Sequence, residues 1–137
     1  MSIEILDHPA DIGFTVRAAT LPALFAEAAR ALYSVALEPA PIAERETIAV
    51  ELESDDLPSL LVDFLSELLY LMDTGHFVAT RTEVRMTGPA ALHATLHGEP
   101  RDPPRHPWRL IVKAVTYHRL EVQLIADEWN ATVFLDI

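Results

Sequence analysis

The chain has 137 residues, half of them apolar, with 10 Lys and Arg against 21 Asp and Glu, a formal net charge of -11 and no cysteine. That is enough chain for one domain, residues 1–137, with a sizeable core. The lack of cysteine excludes disulfides, thiolate metal sites and cysteine nucleophiles and fits a reducing cytoplasm. So acidic a chain neutralises few phosphates, so no direct nucleic-acid or anionic-membrane binding is expected; a cation or a basic protein is the natural complement. No basic, small-residue-processed leader opens the sequence, and its richest apolar stretch, LLVDFLSELLYLM, carries Asp63 and Glu67, so no secretion signal or transmembrane span is expected.

The first element is a strand through HPADIGFTV, residues 8–16. Ile12, Phe14 and Val16 face one way; Asp11, Gly13, Thr15 and Arg17 face the other. TLPALFAEAARALYSVAL then repeats Leu21, Leu24, Phe25, Ala28, Leu32 and Val35 at helical spacing, with Thr20 as N-cap, Pro22 in the first turn and Pro39 and Pro41 as stops. ETIAVELES alternates as a half-buried strand. A second helix follows from Asp56, with Pro58 near its start, a stripe of Leu57, Leu60, Leu61, Phe64, Leu68 and Met72, and Gly75 as terminator. The matching TLPAL and DLPSL openings suggest an internal duplication.

The second half is mostly β. Residues 78–87 alternate, with Val78, Thr80, Thr82, Val84 and Met86 on one side; GPAAL turns the chain into a strand through Leu92, Ala94 and Leu96. GEPRDPPRHPW is too rich in proline for a ladder. RLIVKAVTYH is a short strand that breaks into a turn, and RLEVQLI with EWNATVFLDI closes the chain as a hairpin around Ala126–Asp127–Glu128. The fold class is α+β: two amphipathic helices packed on a mixed, mostly antiparallel sheet or a partly closed barrel.

The sequence ends on FLDI. Ile137 shares a face with Trp129, Ala131, Val133 and Leu135, so its side chain anchors the chain end. If the last strand lies beside the first, Asp136 and the terminal oxygens converge on Asp11, and oxygen donors without soft ligands suit Ca²⁺ or Mg²⁺. Asp55 or Asp56 adds a further carboxylate. The competing readings are a surface residue for Asp11 and a helix cap for Asp56. His93 and His97 share a strand face about 13 Å apart, too far to ligate one metal, and are expected to be exposed. No H-E-x-x-H, G-x-S-x-G or P-loop occurs, and no nucleophile is paired with a base. Lys113, Thr116, Tyr117 and His118 crowd into KAVTYH near Asp102, Arg105 and His106, which reads either as an ordinary turn or as a recognition patch.

Five segments in order, H-x-A-D-I-G at 8–13, LLVDFLSELLYLMDT at 60–74, GEPRDPPRH at 98–106, VKAVTYH at 112–118 and the final LDI, resemble the archease family along the whole chain. These proteins are acidic accessory factors of the RtcB-type tRNA-splicing RNA ligase. The resemblance implies a divalent-metal site of Asp11, Asp136 and main-chain oxygen of Ile137, with Asp56 as a further acidic match, holding Ca²⁺, or alternatively Mn²⁺ or Mg²⁺. It implies a non-enzyme, monomeric or weakly oligomeric, that promotes guanylylation and multiple turnover of the ligase. Lys113, Thr116, Tyr117, His118, Asp102 and His106 then belong to partner binding or activation. Pro9 departs from the family motif, which has Thr there. Two other classes stay open: a stand-alone metal-dependent hydrolase at Asp11, and a chaperone-like binding module.

Overall fold

The computed structural model describes residues 2–8 and 11–137; Pro9 lies outside them. Two antiparallel sheets and two helices make up the described residues. The larger sheet takes β1 (Ser2–His8), β2 (Asp11–Ala18), β8 (Glu128–Asp136) and β6 (Ala114–Val115) in that spatial order, with β7 (Glu121–Ile125) also pairing β8. The smaller sheet is β3 (Glu46–Glu53), β5 (Ala91–Glu99) and β4 (Val78–Gly88), in the order β3-β5-β4. The expected helices are α1 (Leu21–Ala36) and α2 (Leu57–Asp73).

Both helices start by the same device. Thr20 Oγ1 accepts the Ala23 N–H at 3.2 Å and Asp56 Oδ1 accepts the Ser59 N–H at 2.8 Å, each ahead of a first-turn proline that needs no partner for its nitrogen. Gly75 follows the end of α2 at φ 74°, as its position implied. The core is the region where helix stripes meet inward strand faces. Leu24, Phe25, Ala28, Leu32, Leu60, Leu61, Phe64, Leu68 and Met72 are all buried, and the Phe25 and Phe64 rings lie 5.9 Å apart. On the larger sheet Phe14, Val16, Ala131, Val133 and Leu135 face this core. Because α1 touches strands of both sheets, its buried surface is wider than one stripe, and Ala29, Ala31 and Ala36 are buried as well.

Three features depart from the sequence reading. Residues 2–8 form a strand of their own, β1, paired along its length with β2. In β4 the pairing skips from Ala79 to Arg81, a bulge that puts Thr80 out of the inward row and leaves it exposed. The partner strand is Gly98 there, where a Cβ would sit 1.9 Å from the Val78 carbonyl oxygen. The last hairpin is tighter than expected. Ile125 pairs with Glu128, and the turn is Ala126–Asp127 alone, both in the left-handed region at φ 51° and 64°.

That pair of positive angles defines a two-residue turn which favours Asn-Gly, and an alanine there costs about 1 kcal/mol. Replacing Ala126–Asp127 with Asn-Gly is therefore expected to raise the melting temperature by a few degrees, about 1 kcal/mol of stability. A calorimetric scan of the two proteins checks it.

Candidate functional site

Antiparallel pairing of β2 with β8 sets Asp11 directly opposite Asp136, in register with Ile12 opposite Leu135 and Phe14 opposite Val133. Ile12, Phe14 and Leu135 point into the core, so the period of two turns both carboxylates to the outer face. Directly opposite residues bring their Cβ atoms to about 5 Å, close enough for one cation to bridge two carboxylates. Without a cation, like charges so placed repel. Ile137 is half-buried against the core, which steadies the chain end beside the pair. The Asp136 carbonyl accepts the Lys113 N–H at 2.7 Å. Among the described residues no three His, Asp or Glu side chains gather as a ligand set, and the hard-oxygen donors this face offers are the two carboxylates.

Asp56 is not brought to that pair. Its carboxylate caps α2, and the Ser59 N–H holds its pKa below the ordinary carboxyl value. Asp55 instead lines a shallow cleft with Glu53, Ser54 and Pro89 beside the β4–β5 turn.

The KAVTYH segment is stitched to β8 along its length. After the Lys113 contact, the Thr116 N–H and Oγ1 both donate to the Phe134 carbonyl, at 3.1 and 2.9 Å, and the His118 N–H donates to Thr116 Oγ1. Thr116 thus holds the turn, while Lys113, Tyr117 and His118 are exposed, Tyr117 by 61%. The His118 ring meets Phe134 edge-on at 5.7 Å. Phe134 itself is buried although it lies on the outer face. It covers Gly13, where a Cβ would come within 2.8 Å of its ring.

The proline-rich loop is organised by a group the sequence reading passed over. Glu99 is fully buried, and its carboxylate accepts both Arg105 guanidinium nitrogens at 2.8 and 2.9 Å, the Ala43 N–H at 2.8 Å and His106 Nε2 at 3.1 Å. His106 Nδ1 accepts the Asp102 N–H at 2.9 Å, so the proton of the neutral ring sits on Nε2 and donates to Glu99. His106 was expected on a recognition surface. It is 1% exposed and turned inward, because a buried carboxylate needs donors. Asp102 keeps an exposed side chain while its backbone carbonyl accepts the Arg105 and His106 N–H groups. The loop then reaches α1, where the Arg109 N–H satisfies the Ala36 carbonyl at 2.8 Å. Pro100, Pro103 and Pro104, between Glu99 and Arg105, were the available signal: a charged residue that ends a strand at the mouth of so rigid a loop needs a partner.

His93 and His97 are half-buried where exposure was expected. Each is taken by a glutamate across the strands, His93 Nδ1 by Glu51 at 3.2 Å and His97 Nε2 by Glu83, and the His97 bond holds the Glu83 pKa down. Arg81 bridges Glu44 and Glu83 beside them.

Residues 3–137 match the Archease protein family (MTH1598/TM1083). The chain belongs to the archease family. It is 39% identical to Protein archease of Methanosarcina acetivorans, over 98% of this chain and 94% of that one, and 36% identical to Protein archease of Pyrococcus furiosus, over 98% and 97%. The solution structure of Methanobacterium thermoautotrophicum protein 1598 superposes with a TM-score of 0.80 at 32% identity, covering 98% of both chains. The crystal structure of an archease, possible chaperone, from Thermotoga maritima superposes at 0.68 with 18% identity, over 96% of this chain and 94% of that one, a likeness of fold. The archease fold is thus two helices on antiparallel sheets, as the sequence reading had it, divided here into two sheets. No helix is long and apolar enough to cross a membrane among the described residues.

The Arg105 hydrogen bonds, with the Ala43 N–H, pull the Glu99 pKa from 4.5 to about 2. A depressed carboxyl pKa stabilises the fold above the unfolded value and loses that contribution as pH falls from 4.5 toward 2. Glu99→Gln is expected to melt at lower temperature than the wild type at pH 7, with the gap narrowing steadily below pH 4.5. Melts across that range read it.

Proposed function

We propose that this protein is an accessory factor that activates an RtcB-type RNA ligase, promoting guanylylation of the ligase and its multiple turnover, with a divalent cation held by Asp11, Asp136 and main-chain oxygen of Ile137. Family membership supports the class of function. The observation that carries the site is the register: Asp11 and Asp136, 125 residues apart in sequence, are opposite each other on the outer face of the larger sheet. Hard oxygen donors suit Ca²⁺, Mn²⁺ or Mg²⁺. When bound, such an ion supplies charge neutralisation and orients oxygen ligands of a partner's reaction centre. In this reading Asp11 and Asp136 hold that ion on the outer face, and the exposed Lys113, Tyr117 and His118 take part in docking the partner. The acidic remainder of the surface steers it toward a basic partner, the kind of face a ligase needs to bind RNA. In this reading the protein is not the ligase and works in the cytoplasm.

Calcium is expected to raise the melting temperature of the wild type and leave that of Asp136→Asn unchanged. At a concentration about a hundredfold over Kd the gain is about 2.7 kcal/mol. In metal-free buffer Asp136→Asn melts at or above the wild-type temperature, because a carboxylate repulsion is gone. A calcium-dependent shift that survives in Asp136→Asn means the cation binds elsewhere.

Asp11→Ala is expected to abolish stimulation of guanylylation of a cognate ligase while costing the fold about 0.5 kcal/mol or less. Lys113→Ala, which leaves the carboxylates intact, has the milder effect. Guanylylation with labelled GTP, with and without each variant, decides it. Full stimulation by a folded Asp11→Ala protein defeats the metal-centred mechanism. Client binding indifferent to both carboxylates would favour the chaperone reading.

A further inference from the structure

Among the described residues two glutamates are buried, Glu99 and Glu27, and their surroundings differ. Glu99 accepts four hydrogen bonds. Glu27 accepts none; its one partner is Arg30, whose Nη1 lies 3.5 Å from Oε1. The Arg30 side chain is 67% exposed, so it meets the carboxylate from the solvent side and can swing away with little loss of burial. A charge taken out of water needs donors, and Glu27, at 3% exposure, is short of them. Helix α1 turns it away from the core stripe. Ala26, Arg30 and Tyr33 recur at spacings of four and three, with Glu27 beside them, and this second face lines a cavity of about 340 Å³ against Thr80, Arg81 and Thr82 of β4. β4 is an edge strand: it has β5 on one side and no strand on the other among the described residues. The bulge leaves Thr80 and Arg81 exposed there, and Tyr33 Oη accepts the Ala79 N–H at 3.3 Å. Arg81 is held at 3.0 Å by both Glu44 and Glu83, so the two arginines and three glutamates leave the cavity one negative charge.

We propose that this cavity receives an arginine side chain carried on an extended segment of a partner protein, with Glu27 as its counter-ion and the β4 edge as the strand the segment pairs with. One added positive charge neutralises the cavity. An arriving guanidinium displaces Arg30 and presents planar donors to a carboxylate that lacks them, and Thr80 and Thr82 on the same wall add oxygen acceptors. Ala26, Ile42 and Ala79 give the aliphatic stem an apolar wall. The open edge favours a protein segment over a free small molecule, because main-chain pairing supplies affinity and the pocket supplies the choice of side chain. The net charge of -11 draws a basic partner to it. The site belongs to α1 and the smaller sheet and needs neither the Asp11–Asp136 pair nor a ligase, so it stands or falls apart from the activator reading.

The test is two-dimensional NMR of the isotope-labelled full chain in metal-free buffer. The probe is a capped heptapeptide of alternating threonine and valine with one central arginine, compared with its citrulline and lysine versions and with a single capped arginine amide. Resonances of residues 26–33 and 79–82 are expected to move with the arginine peptide, which binds more tightly than the other three probes. Glu27→Gln keeps the side-chain shape and is expected to weaken binding at least fivefold, while melting without peptide at or above the wild-type temperature, because a buried charge short of donors is gone. Arg30→Gln, which removes the resident cation, is expected to tighten binding at least twofold; Arg17→Gln, the same change of charge on the larger sheet, leaves it unchanged. The proposal is overturned if the arginine peptide leaves these resonances in place, if the citrulline or lysine version or the single capped residue binds as tightly, or if Glu27→Gln binds like the wild type. It is equally overturned if Glu27→Gln melts well below the wild type, which would mean that Arg30 already satisfies the carboxylate.

Discussion

Pairing of β2 with β8 joins an early strand to the last residues and decides most of what else the molecule can do. Eight residues from each strand are matched. One face of that ladder closes the core with Phe14, Val16, Val133 and Leu135; the other carries Asp11 and Asp136. A slip by one residue would turn the carboxylates into the core and the apolar set into water, so burial of the inner face holds the outer face in register. Hydrophobic packing on one side thereby positions charge on the other.

The same ladder explains two residues that look misplaced. Phe134 belongs by parity to the outer face, yet it is buried, covered by His118 and Arg119 and seated over Gly13. Glycine in mid-strand weakens a strand, and it is kept where another group must approach closely. Phe134 gives the 116–120 turn something to pack on, while the Thr116 bonds to its carbonyl give the turn a fixed distance from the strand. Exposed side chains on that turn are therefore carried by a rigid support, as a binding site on a loop requires.

A second anchor sits at the other end of the proline-rich loop. Glu99 gathers hydrogen bonds from Ala43, Arg105 and His106, so one buried carboxylate ties the segment before β3 and the proline-rich loop to the end of β5. A buried charge is tolerable only when its lone pairs are filled, and here they are. The loop that this knot organises delivers the chain to Trp108 and Arg109 at the C-terminus of α1, and from there to β6 beside Asp136. The proline segment works as a rigid route to the site.

Local patterning determined a good deal by itself. Helix caps, the two apolar stripes, the terminator Gly75 and the outward direction of Asp11 follow from periods of 3.6 and 2 and from the chemistry of the first helical turn, all of which act within a few residues. The five archease-like segments carried the family. The bulge at Thr80 and the inward turn of His106 were not legible, nor were the glutamate partners of His93 and His97, because each depends on a residue brought close by another strand: Gly98, Glu99, Glu51 and Glu83. The Asp11–Asp136 convergence was conditional in the sequence, since alternation says which face a residue takes and nothing about which strand lies beside it. Only the tertiary pairing of β2 with β8 decided that, for strand order is set by how the whole apolar surface is buried, a sum over the chain that no local window contains.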